Sequence, residues 1–139
     1  MSRENVEFVR RVYALIDRGD ESVWDLVTPE FVMDASRRQI EPTVLRGRDQ
    51  VRAYFNSGRE AWQEGTNRWE PEELIDAGDK VVAFIRTSGK GKESGAQVEA
   101  HVAHVWTFRN GKPVAQEYFG DDRTAALGAA GLKKSDDGR

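Results

Sequence analysis

Asn110-Gly111 lies between two runs of alternating apolar and polar residues, His101–Arg109 and Lys112–Phe119, and no other feature constrains this chain so tightly. Asn-Gly is the strongest short signal for a two-residue hairpin turn, because both central positions need a left-handed backbone. A regular hairpin of this kind fixes a register: Arg109 faces Lys112, Phe108 faces Pro113, Trp106 faces Ala115, His104 faces Glu117 and Val102 faces Phe119. Directly opposed residues share a face. One face then carries Val102, Trp106, Phe108, Pro113, Ala115 and Phe119 around one polar pair, His104 and Glu117. The other carries Ala103, Val105, Thr107, Val114, Gln116 and Tyr118. A histidine and a carboxylate alone among aromatic residues form either a general acid/base pair in an apolar pocket or a satisfied buried pair. A G1 bulge in the turn would pair Phe108 with Lys112 and His104 with Gln116, and would dissolve the pair.

Composition narrows the function classes. A chain of 139 residues, 38% of them hydrophobic, suits one compact domain with a core and a small cavity. That domain is expected over 1–132, with a disordered polar tail at 133–139. A net charge of -3 with no long basic run gives no electrostatic footprint for nucleic acid. The chain has no cysteine and two histidines, so no disulfide, metal or cofactor is expected. The charged N-terminus is unlike a signal peptide, and no apolar run has membrane-spanning length, so a cytoplasmic protein without a membrane partner is expected.

Helical periodicity dominates the first half of the chain. Phe8, Val9, Val12, Leu15 and Ile16 fall on one face of a helix over Arg3–Asp17 that Gly19 closes. Asp20 caps a short second helix through Val23, Trp24, Leu26 and Val27, stopped by Thr28-Pro29. A strand is predicted over Phe31–Ala35. The aperiodic segment Ser36–Arg46 reads as a mobile flap over whatever the fold encloses. A third helix follows Gly47, with Val51, Tyr54, Phe55 and Trp62 on one stripe, and ends near Gly65. Strands then follow at Trp69–Asp76, Lys80–Ser88, Ala96–Phe108 and Lys112–Phe119. Gly89–Gly95 is a loop, and Asp121 caps a last helix through Leu127. Helices first and an antiparallel meander second make an α+β domain, its curved sheet wrapped around the helices.

The segments ENVEFVRRVYALIDRGD, LRGRDQVRAYF, EELIDAGDKVVAFIRTSGKG and HVAHVWTFRNGKPVAQEYF, in this order and spacing, resemble the SnoaL-like polyketide cyclases of the nuclear-transport-factor-like superfamily. The resemblance covers about Glu4–Leu132 and implies a cone-shaped fold with an internal pocket. Superfamily members include cyclases, ketosteroid isomerases, epoxide hydrolases, dehydratases and noncatalytic partners, so fold alone does not fix function. Against the isomerases, His104 is similar in position to the acid that hydrogen-bonds the substrate oxygen. Tyr13 lies near their catalytic tyrosine, and Ala35 stands where their general base would be. Against the epoxide hydrolases, Glu117 matches an aspartate and Arg86 an arginine, while Ser88 replaces the second aspartate. The resemblance also implies a homodimer through the convex sheet face, where Val105, Thr107, Val114 and Tyr118 are more apolar than a solvated face needs.

These readings give His104 and Glu117 as candidate catalytic residues, and Tyr13, Phe55, Phe84, Arg86, Val102, Trp106 and Phe119 as candidate pocket residues. Arg86 shares a strand face with Val82 and Phe84. Pointing inward it would clamp an anion or pair with Glu117; pointing outward it would be a solvated charge. The function expected is binding of a small, largely apolar organic molecule, with cofactor-independent acid/base chemistry of cyclase, isomerase, dehydratase or hydrolase type. The competing reading is a noncatalytic ligand-binding or dimeric interaction module.

Overall fold

The computed structural model describes residues 2–132; the expected tail at 133–139 lies outside the described residues. Helix α1, Ser2–Arg18, buries Val9, Val12, Tyr13 and Ile16 on one face. These positions repeat at three- and four-residue intervals, the spacing that puts side chains on one helical stripe. Gly19 ends it with φ +71°. Bonds from Gly19 N to Ile16 O and from Asp20 N to Leu15 O satisfy the last carbonyls in a Schellman arrangement, which needs the left-handed residue glycine supplies. Asp20 then caps a 3-10 turn over Glu21–Asp25 by accepting from Ser22 N.

The sheet is six-stranded, curved and unclosed. Its strands are β1 (Val32–Ala35), β2 (Thr43–Arg46), β3 (Arg68–Ala77), β4 (Lys80–Lys90), β5 (Gln97–Arg109) and β6 (Lys112–Tyr118), in the order β2-β1-β6-β5-β4-β3. It departs from a pure meander at one place, because β1 runs parallel to β6. The segment expected to be wholly irregular contains β2, which hydrogen-bonds to β1 with Val32 opposite Arg46. Four residues at the sheet edge, with half of them exposed, leave no periodicity to read. Helix α2 is Arg48–Arg59, shorter than expected, and Trp62 lies beyond it in a bridge to Gly91. The cap of α3, Arg123–Ala129, is Asp122 rather than Asp121, accepting from Ala125 N.

Two apolar clusters lie on opposite faces of the sheet. The concave cluster joins α1 to Val81, Ala83, Ile85, Trp106 and Phe108. The convex cluster joins α3 to Val82, Phe84, Ala103, Val105 and Phe119. The alternation along β4 follows the strand period of two, which sends neighbouring side chains to opposite faces.

The hairpin turn is as expected, with φ +53° at Asn110 and +75° at Gly111. Arg109 faces Lys112 and Phe108 faces Pro113. Beyond that point the register shifts by one residue, so that Thr107 faces Ala115, Trp106 faces Gln116, Val105 faces Glu117 and His104 faces Tyr118. A bulge at Val114 absorbs the extra residue and inverts the facing of everything after it. Pro113 sits beside the bulge, and proline, having no N–H to give a ladder, is confined within sheets to edges, strand starts and bulges.

Candidate functional site

The bulge separates the two residues expected to pair. His104 stays on the concave face, while Glu117 turns to the convex face and meets Arg37, Oε2 to Nε 3.7 Å, with both side chains substantially exposed. The His104–Glu117 pair is therefore not formed. In its place His104 Nδ1 meets the Tyr13 hydroxyl at 2.5 Å, and Trp106 Nε1 donates to the same oxygen at 2.9 Å. Indole nitrogen can only donate, so it occupies a lone pair of the Tyr13 oxygen and leaves the phenolic hydrogen for His104. Nδ1 then accepts, and the ring proton belongs on Nε2. Nε2 makes no hydrogen bond to protein among the described residues.

Burial sets the charge states of this cluster. His104 is 2% exposed, and desolvation lowers its pKa from the usual 6.5 to about 4, so the imidazole is neutral at neutral pH. Desolvation likewise holds the Tyr13 phenol well above its ordinary value, against the opposing hydrogen bonds of Trp106 and Gln116. Both groups are thus uncharged hydrogen-bonding partners.

Above His104 opens a cavity of about 520 Å³. Its walls are Met33, Ala35, Tyr54, Phe55, Trp69, Thr87, Val102 and Tyr118, with Arg38, Glu41, Arg59 and Trp62 among the remaining lining residues. The Trp69 ring stacks on His104 at 6.3 Å between centroids, and Tyr118 tilts against it at 6.0 Å. Trp69 is held by its neighbours: Asp17 at the end of α1 accepts from its backbone N at 2.7 Å, and its indole donates to Asn67 at 3.2 Å. Asp17 also takes a bond from Arg68 Nε at 2.8 Å. Although burial opposes it, these bonds hold the Asp17 carboxyl below its usual value. The α1 terminus is in this way tied to the strand that carries the cavity's main aromatic wall.

Of the expected pocket residues, Phe55 and Val102 line this cavity, and Tyr13 and Trp106 lie beneath its floor. Phe84, Phe119 and Arg86 do not reach it. Phe84 and Phe119 belong to the convex cluster under α3, where Arg123 lies 3.6 Å from the Phe84 ring centroid and Arg37 4.5 Å from that of Phe119. Arg86 shares their face because it shares their parity along β4. There it bonds to Glu70 and Glu99 at 2.8 Å each, outside the cavity. Tyr118, placed on the convex face by the regular register, lines the cavity instead. Val105, part of the apolar set behind the expected dimer, is covered within the chain by the cluster around α3.

The sequence reading missed Trp69, Tyr118, Arg38, Glu41 and Arg59. Pro113 was the available signal for Tyr118, since a proline inside a strand announces the bulge. Ala35 lines the cavity, whereas Asp34 binds Ser36 N at 2.9 Å and pairs in register with Glu117.

The fold recurs among solved structures. Bal32a, from a soil-derived mobile gene cassette, matches with a TM-score of 0.75 and 20% identity over 96% of this chain and 98% of its own. A SnoaL-like polyketide cyclase so described from Jannaschia sp. CCS1 matches at 0.73 and 23%, covering 90% of each chain. TerC, co-crystallised with polyporic acid, matches at 0.70 and 22%, over 91% of this chain and 97% of its own. A comparison with curated protein sequences finds no match. The sequence pattern of the SnoaL-like domain matches residues 9–116, which spans the polar cluster and nearly all of the sheet, and the chain belongs to that SnoaL-like family.

Proposed function

We propose that the chain binds a small, largely apolar organic carbonyl compound over His104 and promotes proton transfer at the carbon beside the carbonyl, without a cofactor. The observation that carries this reading is a neutral, buried imidazole at the floor of an aromatic cavity, its Nε2–H without a protein partner among the described residues. A donor fixed in low dielectric stabilises charge developing on an oxygen far better than water does, because it needs no reorganisation. Tyr13 holds the donor's tautomer, and Trp106 holds Tyr13.

In this reading His104 Nε2–H donates to the substrate carbonyl oxygen. The adjacent C–H bond breaks, its electron pair moves into the enolate, and the proton passes to a carboxylate. Glu41 is the one carboxylate among the described lining residues of this cavity. It has a left-handed backbone, φ +52°. Such a conformation costs about 1–3 kcal/mol for a residue with a side chain and concentrates at functional sites. Returning the proton to another carbon gives isomerisation; attack of the enolate on a second carbonyl of the same molecule gives cyclisation. Membership of the SnoaL-like family supports a small organic ligand.

The test is deuterium uptake by the methyl group of 2-acetylnaphthalene in heavy water, followed by proton NMR. The expected result is exchange faster than buffer, falling about 100-fold in folded His104→Phe and Glu41→Gln, the scale usual for a lost acid/base group. Exchange at the buffer rate despite saturable binding would leave a noncatalytic binding protein.

A further inference from the structure

Resting on the reading of this cavity as a ligand site, we infer that its occupant is an organic anion, an apolar ring system with a carboxylate, sulfonate or similar group held by Arg38 and Arg59 at the mouth. Among the described residues, Arg10 pairs with Glu7, Arg18 with Asp20, Arg37 with Glu117, Arg68 with Asp17 and Glu70, Arg86 with Glu70 and Glu99, and Arg123 with Glu73. Arg38 and Arg59 line the cavity and have no carboxylate within 4.0 Å among the described residues. Glu41 is the acid that shares their rim, so the mouth carries one positive charge in excess although the chain as a whole is negative.

Both guanidiniums are held in place but not used up. Arg59 Nη2 donates to Ile16 O at 3.0 Å, which anchors the guanidinium at the end of α1 beside Gly19, where this cavity meets a second one that Ile16 and Gly19 line, and its other donors have no protein partner among the described residues. The Arg38 guanidinium lies 5.5 Å from the Tyr54 ring centroid and makes no side-chain hydrogen bond there. A guanidinium that keeps unpaired N–H donors after one such contact is suited to a planar, charged acceptor. Arg59, Trp62 and Asn67 also border that second, more polar cavity of about 590 Å³, whose other charged and polar lining residues are Asp17, Arg18, Glu60, Gln63, Glu64 and Lys92, so that its three carboxylates are matched by three cations when Arg59 is included. The charged end of the ligand thus faces water and polar groups, while the rings lie against Trp69 and Phe55.

The experiment uses two fluorescent probes of one skeleton, 8-anilinonaphthalene-1-sulfonate, which is anionic, and N-phenyl-1-naphthylamine, which lacks the sulfonate. Each is titrated into wild type, Arg38→Gln, Arg59→Gln and Arg59→Lys. The expected result is about tenfold weaker binding of the sulfonate in each Gln variant and partial recovery in Arg59→Lys, with the neutral probe within twofold throughout. Added salt weakens the sulfonate alone. Arg38 lies at the rim, so its variant stands even if loss of the Arg59 bond to α1 impairs folding. Equal binding of the sulfonate in wild type and Arg38→Gln, with the neutral probe bound, overturns the anion inference and leaves the cavity reading intact. Failure of both probes to bind wild type, or neutral-probe binding that survives a cavity-filling Val102→Trp, overturns the cavity reading and the inference with it.

Discussion

The Tyr13 hydroxyl and His104 Nδ1 lie 2.5 Å apart across 91 residues of sequence, both side chains being buried. This bond links the first helix to the central sheet and, through it, fixes which histidine nitrogen carries the proton. Tyr13→Phe keeps the ring and removes the oxygen, leaving Trp106 Nε1 and His104 Nδ1 without a partner. An orphaned buried polar group costs about 1–3 kcal/mol. Urea denaturation should show a loss of roughly that size, and nitrogen NMR of His104 should show the proton no longer confined to Nε2.

The depressed histidine gives stability a pH dependence of definite sign. Between about pH 6.5 and 4 the unfolded chain binds a proton at this site that the fold excludes, so stability falls as pH falls through that window. The full excursion is roughly 3 kcal/mol. His101 opposes it, since hydrogen bonding and charge from Glu72, and then Glu99, raise its pKa, and its contribution is present at low pH and lost as pH rises. Thermal unfolding at pH 7 and pH 4.5 should show a clear drop for wild type and for His101→Gln, and a much smaller one for His104→Gln. An equal drop in His104→Gln would mean that other groups carry the acid sensitivity.

How far the site could be read from sequence turns on single residues. Asn110-Gly111 fixed the turn and the first two pairs, because turn chemistry is local. The Val114 bulge could not be read from alternation alone, since both faces of β6 carry mixed residues and one inserted position exchanges them. That one residue moved Glu117 and Phe119 out of the cavity and Tyr118 into it. His104 kept its place because the pattern of β5 is anchored independently by Trp106 and Phe108 in the core. Trp69 was legible as a strand residue, but its stacking on His104 depends on Asp17 and Asn67, contacts that no periodicity encodes. Fold class followed from the order of helices and strands; the parallel β1–β6 pairing, made between strands distant in sequence, did not.

Glu117 provides the contrast to His104. Its pair with Arg37 is long and exposed, and such pairs contribute about 0–1 kcal/mol. Glu117→Gln should leave probe binding and deuterium exchange at wild-type levels and shift stability by less than about 0.5 kcal/mol. A fall in exchange comparable to that of His104→Phe would restore the pairing that a regular hairpin predicts, and would place the bulge elsewhere in solution.

Trp62 lines both cavities, and its indole packs against Gly89. A Cβ built on Gly89 would lie 2.8 Å from Trp62 Cε3, closer than a side-chain contact allows. The space belongs to the indole, and Gly89→Ala must displace it. Inserting a methyl group where packing is tight costs typically about 1–3 kcal/mol. Gly89→Ala should therefore lose stability in that range and alter the affinity of the neutral naphthylamine probe, because the displaced ring changes the cavity's shape. The double variant Gly89→Ala/Trp62→Ala should recover part of the stability lost in Gly89→Ala relative to Trp62→Ala alone, since the clash is then gone. Additive losses in a double-mutant cycle would show that the added methyl group is accommodated by the strand and not by the indole.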